Sequence, residues 1–396
     1  MKLVFFCNYL NHHQVLVADA LYDILGENYA FVATKPASPA LLKGGADYSV
    51  SRSYCIRAYE GGSALEKAIL LAREAEVCVF GADAMIFAVE RAKSVSSKSS
   101  QLSFEIAERW LKKGLLNFAS PRLLKWLYYY HKHYKKAGFY RLCASAYTKV
   151  DDKTLHAYDN RWYKWGYFTK TNSLCEEPQG SHDLPTSVNK QSVRIMWCGR
   201  FLAWKHPEHA VMMANKLRNK GYEFRLEIYG DEGNAAKHDS VFPREKLKRL
   251  IKDMALGDYV LLMGNRPNAE IIQSMQHNSI FIFSSDKNEG WGAVANESMA
   301  NGCVLVASDA IGSSPYLIKD GYNGFMYRSC DVDSLTEKVE WLINHPEERI
   351  QMQRNAHKSM NELWSPQVAA ENLLTLIDCL KNDLETSIQE GPCSKA

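Results

Sequence analysis

Short apolar runs alternate along the chain with longer segments whose apolar positions repeat every three to four residues. In the first third this pattern predicts strands at Leu3–Cys7, Tyr29–Ala33 and Val77–Phe80, and helices over Val15–Leu25 and Leu65–Ala75. Continuous apolar runs of this length are typical of strands buried on both faces of a parallel sheet covered by helices. The first part of the chain is therefore predicted to be an α/β domain.

The alternation stops over the polar segment Ser173–Gln191, which contains two prolines and favours a linker, and then starts again. A second α/β series follows, with predicted strands Val193–Cys198, Arg225–Tyr229, Val260–Met263, Ile280–Ser284 and Val304–Ala307, and predicted helices His206–Lys220, Arg244–Asp253, Asn268–Gln276, Trp291–Asn301 and Ser334–Asn344. We expect an N-terminal domain over 1–175, a second domain over 192–365, a last helix over 366–384 and a disordered tail over 385–396.

The composition is that of a globular protein. The chain has 396 residues, enough for two domains, with 46% hydrophobic residues and a net charge of +3, too small to indicate nucleic-acid binding. Its 10 cysteines form no C-x-x-C pair and show no zinc-ligand spacing, which favours reduced thiols in a cytosolic protein. The sequence has no secretory signal, and without an apolar run of about 18 residues no transmembrane helix is expected.

Two glutamates flank a glycine-containing loop between a predicted strand and a predicted helix. Glu289 follows the strand Ile280–Ser284, Gly290 and Gly292 allow close backbone approach to a ligand, and Glu297 lies in the helix. Ligands of open α/β sheets bind at the carboxyl ends of strands, and helix N-termini attract phosphates. We expect Glu297 to bind ribose hydroxyls and Glu289 to bind a sugar. The alternative is two solvated glutamates whose spacing arises by chance.

Two cations follow the predicted strand Val193–Cys198. Arg200 and Lys205 both suit phosphate oxygens, and they could stabilise the charge that grows on a diphosphate leaving group. The alternative is a pair of surface cations beside an exposed loop. Gly230 begins a turn after the next strand, and that turn is predicted to line the same crevice.

The order of these motifs resembles the retaining glycosyltransferases of family 4. The resemblance covers roughly 193–384 and rests on Gly199-Arg200-Phe201 with Lys205, Gly230-Asp231, Glu289 and Glu297 with seven residues between them, Gly302, and the turn Asp320–Gly324. It implies the GT-B fold, with two Rossmann-like domains facing across a cleft and a C-terminal helix that crosses back to the N-terminal domain. It also implies sugar transfer from a nucleoside diphosphate sugar, UDP-sugar being favoured over GDP-sugar, with no metal or other cofactor.

The resemblance assigns roles to individual residues. Arg200 and Lys205 would bind the diphosphate, Glu297 the ribose, Glu289 the sugar, and backbone near Arg266 the base. The catalytic candidates are Glu289, Arg200, Lys205 and His13, and the donor-binding candidates are Arg200, Lys205, Gly230, Arg266, Glu289, Gly290, Trp291, Gly292, Ala293 and Glu297. The chain departs from the family at His206, where glycine usually follows lysine, and over Ile311–Tyr316, which lacks a usual glutamate.

The N-terminal half resembles the family only weakly, because the glycine-rich loop after the first strand is replaced by Cys7–Gln14. A histidine in this loop could hydrogen-bond an acceptor hydroxyl and assist proton transfer, or the loop could simply cap a helix. Polar residues after later strands are further candidates, with a surface ion pair as the alternative. The acceptor-side candidates are Asn11, His12, His13, Asp83, Glu108 and Arg109.

Between Arg109 and Arg141 the chain has no acidic residue but carries nine basic residues interleaved with aromatic residues and leucines. This pattern favours an interfacial helix on an anionic membrane, which would suit a lipid-linked acceptor and a cytoplasmic protein at the membrane periphery. The alternative is a core-packing helix with a solvated basic face; nucleic-acid binding is not expected.

The predicted function is sugar transfer to a glycan or lipid-linked acceptor in surface polysaccharide or glycolipid synthesis. Two alternatives stay open: a catalytically idle nucleotide-sugar-binding partner of a polysaccharide assembly complex, and a sugar-nucleotide epimerase of the same fold. A dinucleotide oxidoreductase is disfavoured, since no G-x-G-x-x-G follows the first strand. The single Asp-x-Asp, at Asp331, is predicted to cap a helix rather than to bind a metal.

Overall fold

A computed structural model describes residues 1–37, 48–95, 100–170, 192–233 and 240–396, and it divides the chain into two compact units. The first unit combines Met1–Thr169 with Leu363–Ala396, and the second spans Lys170–Glu362. Each unit is built on one parallel sheet with helices, so the predicted fold class of two Rossmann-like domains is confirmed. The predicted linker Ser173–Gln191 lies outside the described residues.

The first unit contains a seven-stranded sheet of order β3-β2-β1-β4-β5-β6-β7. Phe6 of β1 stacks on Phe80 of the neighbouring β4 with ring centroids 5.0 Å apart, which places the core directly beneath the central strands. The strands are β1 (Leu3–Cys7), β2 (Tyr29–Ala33), β3 (Cys55–Arg57), β4 (Val77–Phe80), β5 (Leu102–Ala107), β6 (Tyr140–Cys143) and β7 (Trp162–Lys164), and the helices are α1 (Val15–Leu25), α2 (Gly62–Glu74), α3 (Met85–Ser94), α4 (Pro121–Tyr129), α5 (Thr148–Thr154) and, at the end of the chain, α13 (Pro366–Lys381).

The second unit contains a six-stranded sheet of order β10-β9-β8-β11-β12-β13. The strand order reverses between β8 and β11, which makes the carboxyl edge between these strands the topological switch point where ligands of such sheets bind. The strands are β8 (Val193–Cys198), β9 (Phe224–Tyr229), β10 (Val260–Gly264), β11 (Ile280–Phe283), β12 (Val304–Ser308) and β13 (Gly324–Tyr327), and the helices are α6 (Pro207–Asn219), α7 (Arg244–Asp253), α8 (Asn268–His277), α9 (Val294–Ala300), α10 (Ser314–Leu317), α11 (Val332–Asn344) and α12 (Pro346–Glu362).

The last helix, α13, belongs to the first unit. Ser365 caps it by accepting a hydrogen bond from the Val368 N–H at 3.2 Å, and its apolar face packs against α1. Lys381 at its end forms an ion pair of 2.6 Å with Glu76. The predicted return of the C-terminal helix to the N-terminal domain is therefore confirmed.

The tail 385–396 was predicted to be disordered, and this was wrong. The Cys393 N–H donates to the Lys164 carbonyl at 2.7 Å, and the Lys164 N–H donates to the Ser394 carbonyl at 2.8 Å. Cys393 is wholly buried. The polar composition of the tail predicted disorder, but backbone hydrogen bonds to the open edge of β7 hold the tail in place. No side-chain pattern reveals such bonds.

The segment 109–141 is not the single interfacial helix that its pattern favoured. It is divided into a 3₁₀ segment (Gly114–Ala119), α4, a π-helical turn (Tyr130–Tyr134) and the start of β6. Trp126 is buried in the core, and buried Arg141 pairs with Asp152 at 2.8 Å. Part of the basic aromatic pattern therefore reflects core packing. No helix in the described parts of the chain is long and apolar enough to cross a bilayer.

Candidate functional site

The loops after β8 and β11 bring Lys205 and Glu289 together at the switch point of the second sheet. Lys205 ends a short 3₁₀ turn, and its Nζ lies 2.5 Å from Oε2 of Glu289. The Ser285 hydroxyl donates to the same carboxylate oxygen at 3.0 Å. Both members of the ion pair are largely buried, with side chains 13% and 12% exposed, so the charges face each other in a region of reduced solvent screening.

Backbone contacts hold these two loops in register. The Asp286 N–H donates to the Trp204 carbonyl at 2.9 Å, and the Ser284 hydroxyl donates to the Lys205 carbonyl at 2.7 Å. Gly292 has φ +78°, and a Cβ there would lie 2.2 Å from Cζ of Phe283. The loop can fold back against the end of β11 only because this position is glycine.

Glu297, on α9, presents a carboxyl group that receives no hydrogen bond and no ion pair from any residue the structure describes. Burial raises its pKa to about 7. Its charge lies near β8, because burial and then the Glu297 charge raise the pKa of Cys198 to about 12. Glu297 is partly exposed, so a ligand can reach this carboxyl group, and its oxygens are suited to accept hydrogen bonds from the hydroxyls of that ligand.

His206 occupies a left-handed backbone position, with φ +48°, where the family usually has glycine. Its Nε2 lies 3.5 Å from Asp286 and its Nδ1 lies 3.1 Å from Glu208. Hydrogen bonding to these carboxylates, first Asp286 and then Glu208, raises the pKa of His206 to about 10. The imidazolium therefore adds a positive charge next to Lys205 and connects the two loops through side chains.

The donor atoms of His206, Glu208 and His209 lie within 4.8 Å of one another, as a metal site would require. The two imidazole rings, however, are parallel to within 6° and stacked 4.5 Å apart, so one ion cannot lie in the plane of both. Both nitrogens of His206 also face carboxylates. The arrangement fits a protonated histidine held by carboxylates. The Asp-x-Asp residue Asp331 caps α11, as predicted, by accepting from the Ser334 N–H at 2.9 Å.

The turn after β9 packs against the loop that carries Arg200. Gly230 has φ +122°, and a Cβ there would lie 1.9 Å from the Gly199 carbonyl oxygen. The Phe201 N–H donates to the Asp231 carbonyl at 2.7 Å. These contacts place the exposed Arg200 beside the Gly230 turn at the same edge of the sheet, where both were predicted to lie.

Two side chains that were predicted to contact the nucleotide-sugar donor are held by other residues of the chain. The Trp291 side chain is wholly buried and its indole N–H donates to Asn296 at 2.8 Å, so its ring belongs to the core and only its backbone could meet a ligand. The half-exposed Arg266 donates through Nε to the Met263 carbonyl at 3.1 Å. Gly290 and Ala293 complete the loop, and Ala293 immediately precedes α9.

On the first unit, His13 follows β1 and stacks on Tyr167, with ring centroids 5.5 Å apart. The Tyr167 hydroxyl donates to Glu108 at 2.7 Å, so two predicted residues are joined through one that was not predicted. Burial, and then the neighbouring His12, lower the pKa of His13 to about 3. The neutral ring leaves Nδ1 buried without a hydrogen-bond partner. Tyr167 was not among the predicted site residues, because it lies in an aromatic run whose composition is typical of a buried core.

The remaining acceptor-side candidates have structural partners. Asn11 accepts a hydrogen bond from the backbone N–H two residues later at 2.9 Å, which is the capping alternative. Asp83 pairs with Lys35 at 2.9 Å on the surface. Arg109 pairs with the buried Asp151 at 3.2 Å, so its guanidinium stabilises the unit internally. An acceptor contact of Arg109 stays a prediction.

Sequence comparison matches a known family to the second unit. Residues 185–359 match the family model described as Glycosyl transferases group 1. The chain is 29% identical over 179 residues to the alpha-D-kanosaminyltransferase of Streptomyces kanamyceticus, covering 45% of this chain and 44% of that protein. It is 23% identical over 198 residues to the capsular polysaccharide biosynthesis glycosyltransferase CapM of Staphylococcus aureus, covering 48% and 47%. Each match thus spans less than half of the relative.

The fold as a whole is similar to that of a solved structure, Anabaena Alr3699/HepE in complex with UDP. The TM-score is 0.66 at 14% identity, covering 96% of this chain and 100% of that one. At this identity the likeness establishes the fold alone, which is the GT-B fold class with two Rossmann-like domains that the resemblance implied.

Proposed function

We propose that this protein is a retaining glycosyltransferase, because residues 185–359 match the family model described as Glycosyl transferases group 1. It moves a sugar from a nucleoside diphosphate sugar to a hydroxyl of a glycan or lipid-linked acceptor, in surface polysaccharide or glycolipid synthesis. The observation that carries the proposal is the Lys205–Glu289 pair at the switch point, together with the unpartnered carboxyl group of Glu297. The complex of Alr3699/HepE with UDP favours a UDP-sugar as donor.

The proposed reaction depends on stabilising the leaving group. As the bond from the anomeric carbon to the diphosphate breaks, negative charge grows on a phosphate oxygen near Lys205, Arg200 and the adjacent imidazolium. Lys205 exchanges Glu289 for the diphosphate, which frees that carboxylate for the sugar hydroxyls. The departing phosphate takes the proton of the acceptor hydroxyl, and the new bond forms on the face that the diphosphate leaves. These cations make a metal or other cofactor unnecessary.

The proposed role of His13 is to orient the acceptor. A ring with a pKa of about 3 is neutral at physiological pH, so its unpartnered Nδ1 offers either a lone pair or a proton to a hydroxyl. Its stacking on Tyr167 fixes the plane of the ring. This role concerns positioning, while proton removal is left to the phosphate.

The function is tested first by nucleotide binding. A thermal-shift panel of UDP, GDP, ADP, CMP and dTDP should raise the melting temperature with one nucleotide, since a ligand that binds only the native state stabilises it. Glu297→Ala should abolish this rise, whereas Glu347→Ala, at an exposed site on α12, should keep it. No shift with any nucleotide would contradict the proposed donor site.

Catalysis is tested with the same protein. Lys205→Ala should lower UDP release from the bound UDP-sugar in the presence of acceptor by roughly 10²–10³-fold, the usual effect of removing one group that stabilises transition-state charge. Lys358→Ala, on the exposed face of α12, is the control. Near-normal turnover in Lys205→Ala would overturn the assignment. An idle partner would bind UDP without releasing it from a UDP-sugar, and an epimerase would convert the donor without acceptor.

We also propose that a cytoplasmic pool of this protein contacts an anionic membrane through the outer face of 109–141. Leu116 is 78% exposed, Leu124 is 51% exposed and Tyr128 is 55% exposed, and Lys125 is exposed beside them. Apolar side chains surrounded by cations, without an acidic residue in the segment, are typical of interfacial surfaces. A lipid-linked acceptor would be presented at such a surface.

A further inference from the structure

Arg244, the first residue of α7, has a guanidinium group without a partner among the residues that the structure describes. Its backbone N–H donates to Glu232 at 2.7 Å, but no ion pair or side-chain hydrogen bond reaches the guanidinium from any described residue. The Nε atom is also shielded from solvent. A guanidinium carries five hydrogen-bond donors, and leaving one buried and unpaired destabilises the protein. The group is therefore suited to a ligand that offers acceptors.

The guanidinium stands over bare backbone at the carboxyl edge of the sheet. The Cβ position of Gly264, at the end of β10, is 3.7 Å from Nη2 of Arg244. Gly264 has φ +74°, and its carbonyl accepts from the Gly230 N–H at 2.8 Å, which joins the ends of β9 and β10. Because Gly264 has no side chain, no Cβ lies between the end of β10 and the guanidinium, which therefore stays next to this edge of the sheet.

The position of this group relative to the switch point matches the reach of a nucleotide. The sheet order is β10-β9-β8-β11, and Lys205 and Glu289 lie at the β8–β11 edge. Neighbouring strands are about 4.8 Å apart, so the end of β10 lies about 10 Å from the end of β8 along the same edge. A nucleotide whose diphosphate binds Lys205 and whose base points along this edge toward β10 would reach Arg244.

We propose that Arg244 reads the base of the donor and selects one that carries a carbonyl oxygen where cytosine and adenine carry an amino group; the inference rests on the donor site proposed above. A guanidinium only donates hydrogen bonds. Uracil and guanine carry a carbonyl oxygen where cytosine and adenine carry an amino group that also donates. An amino group opposite Arg244 leaves both donors unpaired, so the site rejects CDP and ADP.

Calorimetric titration of UDP, CDP, GDP and ADP tests the inference. Wild-type protein should bind UDP at least about tenfold more tightly than CDP, or GDP at least about tenfold more tightly than ADP. The pair that shows this preference tells whether the site takes a pyrimidine or a purine. Arg244→Met should reduce that ratio to about threefold or less. Arg244→Lys, which keeps the charge but loses the planar fork, should also lose most of the ratio. Arg249→Met, an exposed position on the same helix, should keep it.

Each other result overturns the inference. An unchanged base preference in Arg244→Met shows that the guanidinium does not read the base. An equal loss of affinity for UDP and CDP, or for GDP and ADP, shows that it contacts a phosphate instead. If UDP binding nevertheless depends on Glu297, the proposed function stands and only the base assignment fails. If the wild type binds no nucleotide, both fail. Melting temperatures confirm that the variants are folded, and Arg244→Lys supplies the test if Arg244→Met is not.

Discussion

The Glu297 carboxyl group shows how burial alone sets the ionisation of a single residue. No described residue donates to it, and burial raises its pKa from 4.5 to about 7. Between pH 4.5 and about pH 7, the Glu297 carboxyl group keeps its proton in the native state and has lost it in the unfolded state. The stability that this group contributes is therefore complete below pH 4.5 and is lost as the pH rises through about 7.

The sign of this effect gives a prediction for Glu297→Gln. The difference in free energy of unfolding between variant and wild type should increase by about 3 kcal/mol from pH 4.5 to pH 8, because the wild type alone loses stability as its carboxyl group ionises. Urea denaturation of both proteins at several pH values measures it. Glu347→Gln, at an exposed site, should show no such dependence, and a pH-independent difference for Glu297→Gln would contradict the burial argument.

His13 and Lys205 mark the limit of residue-level prediction. The sequence suggested each as a candidate because it follows a strand, and the structure places both at carboxyl ends of strands. It did not predict that Lys205 would pair with Glu289 or that His13 would stack on Tyr167. Such partners are far apart in the chain, and only packing decides which side chains meet.

At the scale of elements, the strands of the second unit were the most predictable. β11 is apolar throughout, β12 is apolar up to its last residue, Ser308, and both are buried on both faces, so their sequence carries an unambiguous signal. The signal was weaker over β5 and 109–141, where buried Arg141 needs the acidic partners Glu105 and Asp152. A charged residue that is neutralised in the core looks like a surface residue in the sequence.

The contact between two loops predicts a severe effect of Gly230→Ala. The new Cβ would lie 1.9 Å from the Gly199 carbonyl oxygen in a backbone conformation that alanine disfavours. We expect a loss of more than about 2 kcal/mol in free energy of unfolding, measured by urea denaturation. Gly257→Ala is the matched control, since no atom lies within 4 Å of its Cβ position. Equal stability of the two variants would show that the loops can separate without cost.

At the scale of the whole molecule, membrane contact can be measured as co-sedimentation with vesicles. Vesicles containing phosphatidylglycerol should bind the protein more strongly than pure phosphatidylcholine vesicles, and salt should weaken the binding. Leu124→Gln with Tyr128→Gln should reduce the bound fraction about fivefold or more, since both exposed side chains lose apolar contact with lipid.

The control for this experiment is Leu70→Gln on α2, a leucine that is also 51% exposed but lies outside the basic segment. It should sediment like the wild type. Equal loss in both variants, or binding that does not depend on lipid charge, would contradict a specific membrane surface at 109–141.

The sequence by itself determined the two α/β units, the parallel sheets and the loops that carry the charged residues. These features follow from local periodicity and from the position of polar residues after apolar runs, which each segment carries alone. Tertiary structure decided which of these residues meet. It paired Lys205 with Glu289, left Glu297 without a donor among the described residues, used Arg109 internally and fixed the tail on β7. Those outcomes depend on contacts between distant segments, whose free energies no single segment encodes.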